Sequence, residues 1–182
     1  MTRRSLSIAL LALAAASAAD LARADTSGVS TAGFTVTFTR EVNATPDKLW
    51  TALTQVQNWW NSAHSWSGKA ANMSFDLQAG GCWCEKWEGS SVMHGTVVSI
   101  QSRKVLRFYA NLGPLQERAT NGVLTFAQSV SKENNEKTVL KVTYRVAGPP
   151  DTGLQELAPA VDGVIGEQVK RLVAFAETGK AE

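Results

Sequence analysis

The sequence is poor in the residues from which disulfide scaffolds, metal centres and nucleophilic triads are built. It has two cysteines, Cys82 and Cys84, and two histidines, His64 and His94, among 182 residues. Two cysteines are too few for a disulfide framework, so the fold must rest on packing. Two thiolates and two imidazoles scattered over the chain leave a metal short of ligands, and no metal or other cofactor is expected. They also leave few ways to assemble a Ser-His-Asp triad. No Gly-rich loop opens a helix in the phosphate-binding manner, and no Gly-x-Ser-x-Gly elbow occurs. No apolar run reaches the roughly 20 residues of a membrane span.

What is present begins with a leader. Arg3 and Arg4 precede an uncharged apolar stretch from Leu6 to Ala16, and Ala22-Arg23-Ala24 is a small-x-small cleavage site before Asp25, with Ala16-Ser17-Ala18 as a second option. Residues 1–24 are expected to be a signal peptide, which implies a periplasmic or secreted protein. The paired arginines hint at twin-arginine export, and the route stays open. Without Arg3, Arg4, Arg23 and Asp20, the 18 basic and 16 acidic residues come to equal numbers. A neutral surface of this kind argues against nucleic acid as a partner.

Residues 25–33 are expected to form a flexible lead-in. Phe34, Val36 and Phe38 then alternate with polar residues in a strand over 34–42. Thr45-Pro46-Asp47 reads as an N-cap, a first-turn proline and a first-turn acid, opening a short helix with Leu49, Trp50 and Leu53, and a second turn runs through Val56, Trp59 and Trp60. Six strands follow, over 73–77, 82–88, 91–102, 104–111, 122–129 and 138–147. After Gly148-Pro149-Pro150, with Asp151 or Thr152 as cap, Leu157, Val161, Val164, Ile165, Gln168, Leu172 and Phe175 recur every three or four residues in one long amphipathic helix. Tight turns make the sheet antiparallel. The one long helix must cover its apolar face, and a curved sheet around a helix leaves a gap lined by both.

This order resembles the START-like superfamily, also called helix-grip or SRPBCC, over residues 34–178. The resemblance rests on a strand followed by Thr45-Pro46-Asp47-Lys48-Leu49-Trp50, on Gly80-Gly81-Cys82-Trp83-Cys84-Glu85, and on Gly95-Thr96-Val97-Val98 leading to Leu106-Arg107-Phe108, with Gly113-Pro114-Leu115-Gln116 beyond. The branch it looks most like is that of the ATPase-activator homologues and polyketide-cyclase-like proteins. It implies an α+β helix-grip fold, a curved antiparallel sheet wrapped around a long C-terminal helix, with a ligand cavity between them. It does not imply one activity. An exported chain lacks cytosolic ATP, which argues against an ATPase-activating role.

Candidate site residues follow from strand register. If Gly89 and Ser90 form a hairpin tip, Ser91 faces Glu88, Val92 faces Trp87 and His94 faces Glu85. Glu85 then shares a face with Trp83 and Trp87, and His94 with Thr96, Val98 and Ile100. A carboxylate against an imidazole fixes the tautomer, and such a pair can orient a ligand headgroup or move protons; the alternative is an ordinary strand pair. Cys82 and Cys84 point to the other face, about 6.5 Å apart at Cα. That is near the upper limit for a disulfide, and packing is the expected role. All six tryptophans lie between residues 50 and 87. Trp59, Trp60 and Trp66 fall near the helix-to-strand loop, where aromatics either clamp a flat ligand or pack as core and lid. The expected ligand-binding set is Trp60, Trp66, Trp83, Glu85, His94, Val98, Phe108, Phe126 and Tyr144. The leading reading is an exported carrier of an apolar small molecule or lipid. A cavity enzyme of the cyclase, dehydratase or hydrolase kind using Glu85 and His94 is the second. A protein-interaction module with a filled cavity is the third.

Overall fold

A computed structural model describes residues 25–182. The expected signal peptide, residues 1–24, lies outside the described residues. Eight strands form one antiparallel sheet in the order β1-β2-β8-β7-β6-β5-β4-β3. They are β1 (Asp25–Ser30), β2 (Gly33–Val42), β3 (Met73–Phe75), β4 (Cys82–Trp87), β5 (Ser90–Gln101), β6 (Val105–Ala110), β7 (Asn121–Val130) and β8 (Thr138–Ala147). Helices α1 (Pro46–Leu53) and α2 (Val56–Trp59) follow β2, and α3 (Leu154–Thr178) ends the fold. This is the α+β helix-grip arrangement. Among the described residues no helix is long and apolar enough to cross a membrane.

The strand faces follow alternation. Phe34, Val36 and Phe38 on β2, Leu106 and Phe108 on β6, and Leu140, Val142, Tyr144 and Val146 on β8 are all buried on the concave side. Ile165, Val169, Leu172 and Ala176 of α3 pack there too. Each large aliphatic side chain so buried contributes roughly 1.5–3 kcal/mol. Gly166 lets α3 approach β2: a Cβ there would lie 3.0 Å from Cε1 of Phe38. Thr45 caps α1 by accepting a hydrogen bond from the Lys48 amide at 3.3 Å, with Pro46 behind it.

Three expectations need correction. Residues 25–30, expected to belong to a flexible lead-in, pair with β2 as the edge strand; with two glycines and small polar residues nearby they carry no apolar alternation to betray a strand. Neither Asp151 nor Thr152 caps α3. A short 3-10 turn over Pro150–Thr152 intervenes, and Gly153 in left-handed backbone (φ 68°) starts the helix without a side-chain cap. The β4–β5 hairpin is offset from its expected register: Trp87 faces Ser90 and Glu85 faces Val92. The tip is Glu88-Gly89, and Gly89 takes the left-handed position (φ 68°) that no β-carbon-bearing residue adopts cheaply.

Candidate functional site

His94 owes its position to a bulge. Trp83 faces Gly95 and Cys84 faces Met93, so β5 carries one residue more than β4 at His94. A bulge re-aims the side chain of its extra residue. It turns His94 inward, where Nε2 lies 2.9 Å from Oε2 of Glu85. The two residues therefore meet although the simple register does not pair them. They are 3% and 0% exposed, so this is a buried contact and not an open strand pair.

Glu85 does more than face His94. Its carboxylate also accepts from the backbone amides of Trp66 at 3.1 Å and Ser67 at 2.5 Å. Burial pushes the carboxyl pKa up, but the bonds from Ser67, Trp66 and His94 outweigh it and hold it below the usual carboxylate value. Burial depresses the His94 pKa, and the attraction of Glu85 only partly offsets this. An anionic Glu85 beside a neutral imidazole puts the ring proton on Nε2, donated to the carboxylate. Nδ1 then carries a lone pair, and no hydrogen bond from the described residues reaches it.

The space beside His94 is a cavity of about 400 Å³. One wall is the segment after α2, including Trp60, Ala63, His64, Ser65 and Trp66. A second is Leu112–Leu115, a third is the first half of α3 with Leu157, Val161, Val164 and Ile165, and Tyr144 and His94 form the sheet side. The first wall is a strap tied on both sides. Glu85 holds Trp66 and Ser67. On α3, Glu167 accepts from the Asn61 side chain and meets Nε2 of His64 at 3.0 Å, while Gln168 accepts from the Asn61 amide at 2.8 Å. The Trp60 indole donates to the His64 carbonyl at 2.9 Å and stiffens the strap from within. Trp66 is 49% exposed and stands at the edge of the cavity.

Tyr144 is held by its hydroxyl, which donates to the Ala110 carbonyl at 2.9 Å and accepts from the Leu112 amide at 3.4 Å. Burial raises its pKa far above the tyrosine norm, so it stays protonated. Gly122 makes room for the ring: a Cβ there would sit 2.8 Å from the Tyr144 hydroxyl.

The expected residues divide into groups. Trp60, Trp66, His94 and Tyr144 line the cavity. Glu85 stands behind His94. Trp83 lies in the packed core, 5.0 Å from Trp60, 5.5 Å from Phe108 and 5.4 Å from His94 between ring centroids. Phe126 packs against Trp59 at 6.2 Å. Val98 does not line the cavity. The His94 bulge shifts the alternation so that Val97, opposite Phe108, takes the buried position instead. Sequence reasoning did not place Leu112–Leu115 at the site: Gly113 to Leu115 open a 3-10 turn over Gly113–Glu117, too short to show a period, and Gly113-Pro114 marks only a turn. Cys82 and Cys84, expected as packing residues, form a disulfide with Cα atoms 5.3 Å apart. Among the described residues no group of three metal-ligating side chains converges.

The buried pair ties stability to pH. The folded pKa of His94 lies below its ordinary 6.5, so below about pH 6.5 the unfolded chain takes up a proton that the folded one resists. Glu85, lowered from 4.5, adds a loss below that value as its carboxylate is forced to protonate. The unfolding free energy is expected to be level between about pH 7 and pH 9 and to fall on acidification through both ranges. Denaturant melts across pH, with His94→Gln flattening the upper part of the fall, check this.

Solved structures share the fold. A protein from Arthrobacter aurescens superposes with a TM-score of 0.60 at 12% identity, over 88% of this chain and 94% of that one. A conserved protein of unknown function from Enterococcus faecalis does so at 0.58 and 14%, over 88% and 80%. CalU16 from Micromonospora echinospora does so at 0.55 and 14%, over 84% and 83%. No curated protein matches the sequence. An antiparallel sheet gripping a C-terminal helix around a cavity is what the sequence match then specifies: over residues 33–177 the chain fits the model of the polyketide cyclase/dehydrase and lipid transport family, and it belongs to that family.

Proposed function

We propose that the protein is an exported carrier that holds an apolar small molecule bearing one hydrogen-bond donor. The observation that carries this reading is His94: a neutral, buried imidazole, its Nε2–H committed to Glu85, its Nδ1 left as an acceptor beside apolar walls. A hydroxyl or N–H on the ligand would satisfy Nδ1, while Leu157, Val161, Val164 and Ile165 take the hydrocarbon part. The volume of about 400 Å³ lies within the range of small-ligand sites, roughly 300–1,000 Å³. Space of that size left by the side chains speaks against a filled interaction module. The Cys82–Cys84 disulfide suits an oxidising compartment and so supports export.

The same pair supports a second reading, a cavity enzyme in which His94 takes a proton from the bound molecule and Glu85 stabilises the imidazolium. One experiment separates the two. Native mass spectrometry of the protein purified from its exported compartment is expected to show a stoichiometric small apolar compound, released on denaturation. His94→Ala should then lose at least tenfold in affinity for it, about one charge-neutral hydrogen bond. Tight binding by His94→Ala, with conversion of the compound only by the wild type, would favour the enzyme. A clean apo mass, unchanged by a lipid and polyketide panel, would sink the carrier.

A further inference from the structure

The Cys82–Cys84 disulfide lies on the face of the sheet away from the cavity. Along β4, Trp83 and Glu85 turn inward, while Cys82, Cys84 and Lys86 turn outward, and both cysteines are partly exposed. The bond closes a ring across a single residue. Loop-closure entropy grows with loop length, so this ring restrains the unfolded chain far less than a long-range bridge would. It joins no two elements either: β4 is already paired with β3 on one side and β5 on the other. A solvent-reachable bond with little to hold together, near a lysine on the same face, suits thiol–disulfide exchange better than it suits scaffolding.

The bond is also built into the irregularity that aims His94. Residues two apart in a regular strand are about 6.6 Å apart at Cα. Across Cys82 and Cys84 the distance is 5.3 Å. Opposite this shortened stretch, β5 carries its extra residue, His94, between Met93, which faces Cys84, and Gly95, which faces Trp83. The sulfurs outside and the imidazole inside therefore share one break in the ladder, with Trp83 between them in the core.

We propose that Cys82–Cys84 is a thiol–disulfide exchange site for a dithiol, and that its redox state sets the position of His94 in the cavity. A thiolate of the dithiol attacks one sulfur, the Cys82–Cys84 bond breaks, and a mixed disulfide forms. The second thiol of the donor then displaces the protein sulfur. Two electrons and two protons pass to the protein, which is left with two thiols, and the donor leaves as a disulfide. With the ring open, β4 extends toward regular spacing and the bulge at His94 relaxes, loosening the contact with Glu85 and, through Glu85, the hold on Trp66 and Ser67.

The test needs no ligand, so it stands apart from the carrier reading. The folded protein is equilibrated in dithiothreitol buffers of graded redox ratio, quenched with an alkylating reagent and weighed. Two labels are expected to appear together in one reversible two-electron step, with the far-ultraviolet circular dichroism unchanged. In the reduced protein the His94 imidazole resonances and the Trp66 and Ser67 amides should shift, while amides of β2 and β8 stay in place. The double variant Cys82→Ser, Cys84→Ser should reproduce the shifted spectrum; if it does not fold, reduced wild type carries the comparison. Labelling only after denaturant is added, labelling only with loss of secondary structure, or labelling with unmoved His94 resonances would each overturn the proposal.

Discussion

Glu85→Ala is expected to lower the unfolding free energy by about 3–5 kcal/mol, because it removes one charged acceptor from three hydrogen bonds at once. The carboxylate is fully buried and accepts from three donors: the Trp66 amide, the Ser67 amide and Nε2 of His94. Alanine leaves all three without partners in a place water reaches poorly, and each unsatisfied donor costs on the order of 1–3 kcal/mol before the chain relaxes. For a domain of this size the melting temperature should drop by about 10 °C. Relaxation has a direction. Trp66 is half exposed, so the strap can swing outward and hydrate its amides, whereas His94 cannot follow. Amide exchange at Trp66 and Ser67 should therefore rise more than the global loss explains. Glu85→Gln keeps one acceptor oxygen and should cost less. Denaturant titration checks the first number, and a loss below about 1 kcal/mol would mean that the strap, not the carboxylate, holds this corner together.

Val161→Trp is expected to weaken ligand binding about 100-fold, or close to 3 kcal/mol, while leaving stability within about 1 kcal/mol of wild type. Val161 faces the cavity from α3 and is only half-buried, so an indole there grows into unfilled space and need not push into packed neighbours. The contrast is Ile165, one turn on and 3% exposed, where the same change would overpack the core. Affinity for the compound identified by native mass spectrometry, read beside a thermal melt, checks both halves. Unchanged affinity would place the ligand elsewhere.

Much of this protein was legible in its sequence because two periods are strong physical signals. Alternation in 34–42 and 138–147 names the inward residues of β2 and β8, since every second side chain must share a face. Thr45-Pro46 marks the start of α1 because few residues satisfy free amides at a helix end so well. The meeting of Glu85 with His94 was also legible, but for an incomplete reason. The simple hairpin sum pairs them, the true register does not, and an unforeseen bulge restores the contact. Bulges depend on how strands twist against their neighbours, and one extra residue leaves no mark in a run such as Met93-His94-Gly95. Val98 was misplaced for the same cause.

By itself, then, the sequence determined the order of the strands and α-helices from β2 onward, the antiparallel sheet, the covering helix and the faces of its regular strands, because each depends on neighbours within a few residues; it did not reveal β1. The tertiary structure alone decided where the cavity lies. The stripe on α3 reads as one continuous apolar face, yet Leu172 and Ala176 are packed and Leu157, Val161 and Val164 border open space. Periodicity reports that a face is apolar and not what meets it. What meets it depends on where the sheet curves away from the helix and on a strap tied by Glu85 and Glu167, contacts between residues 18 to 106 positions apart that no local pattern records.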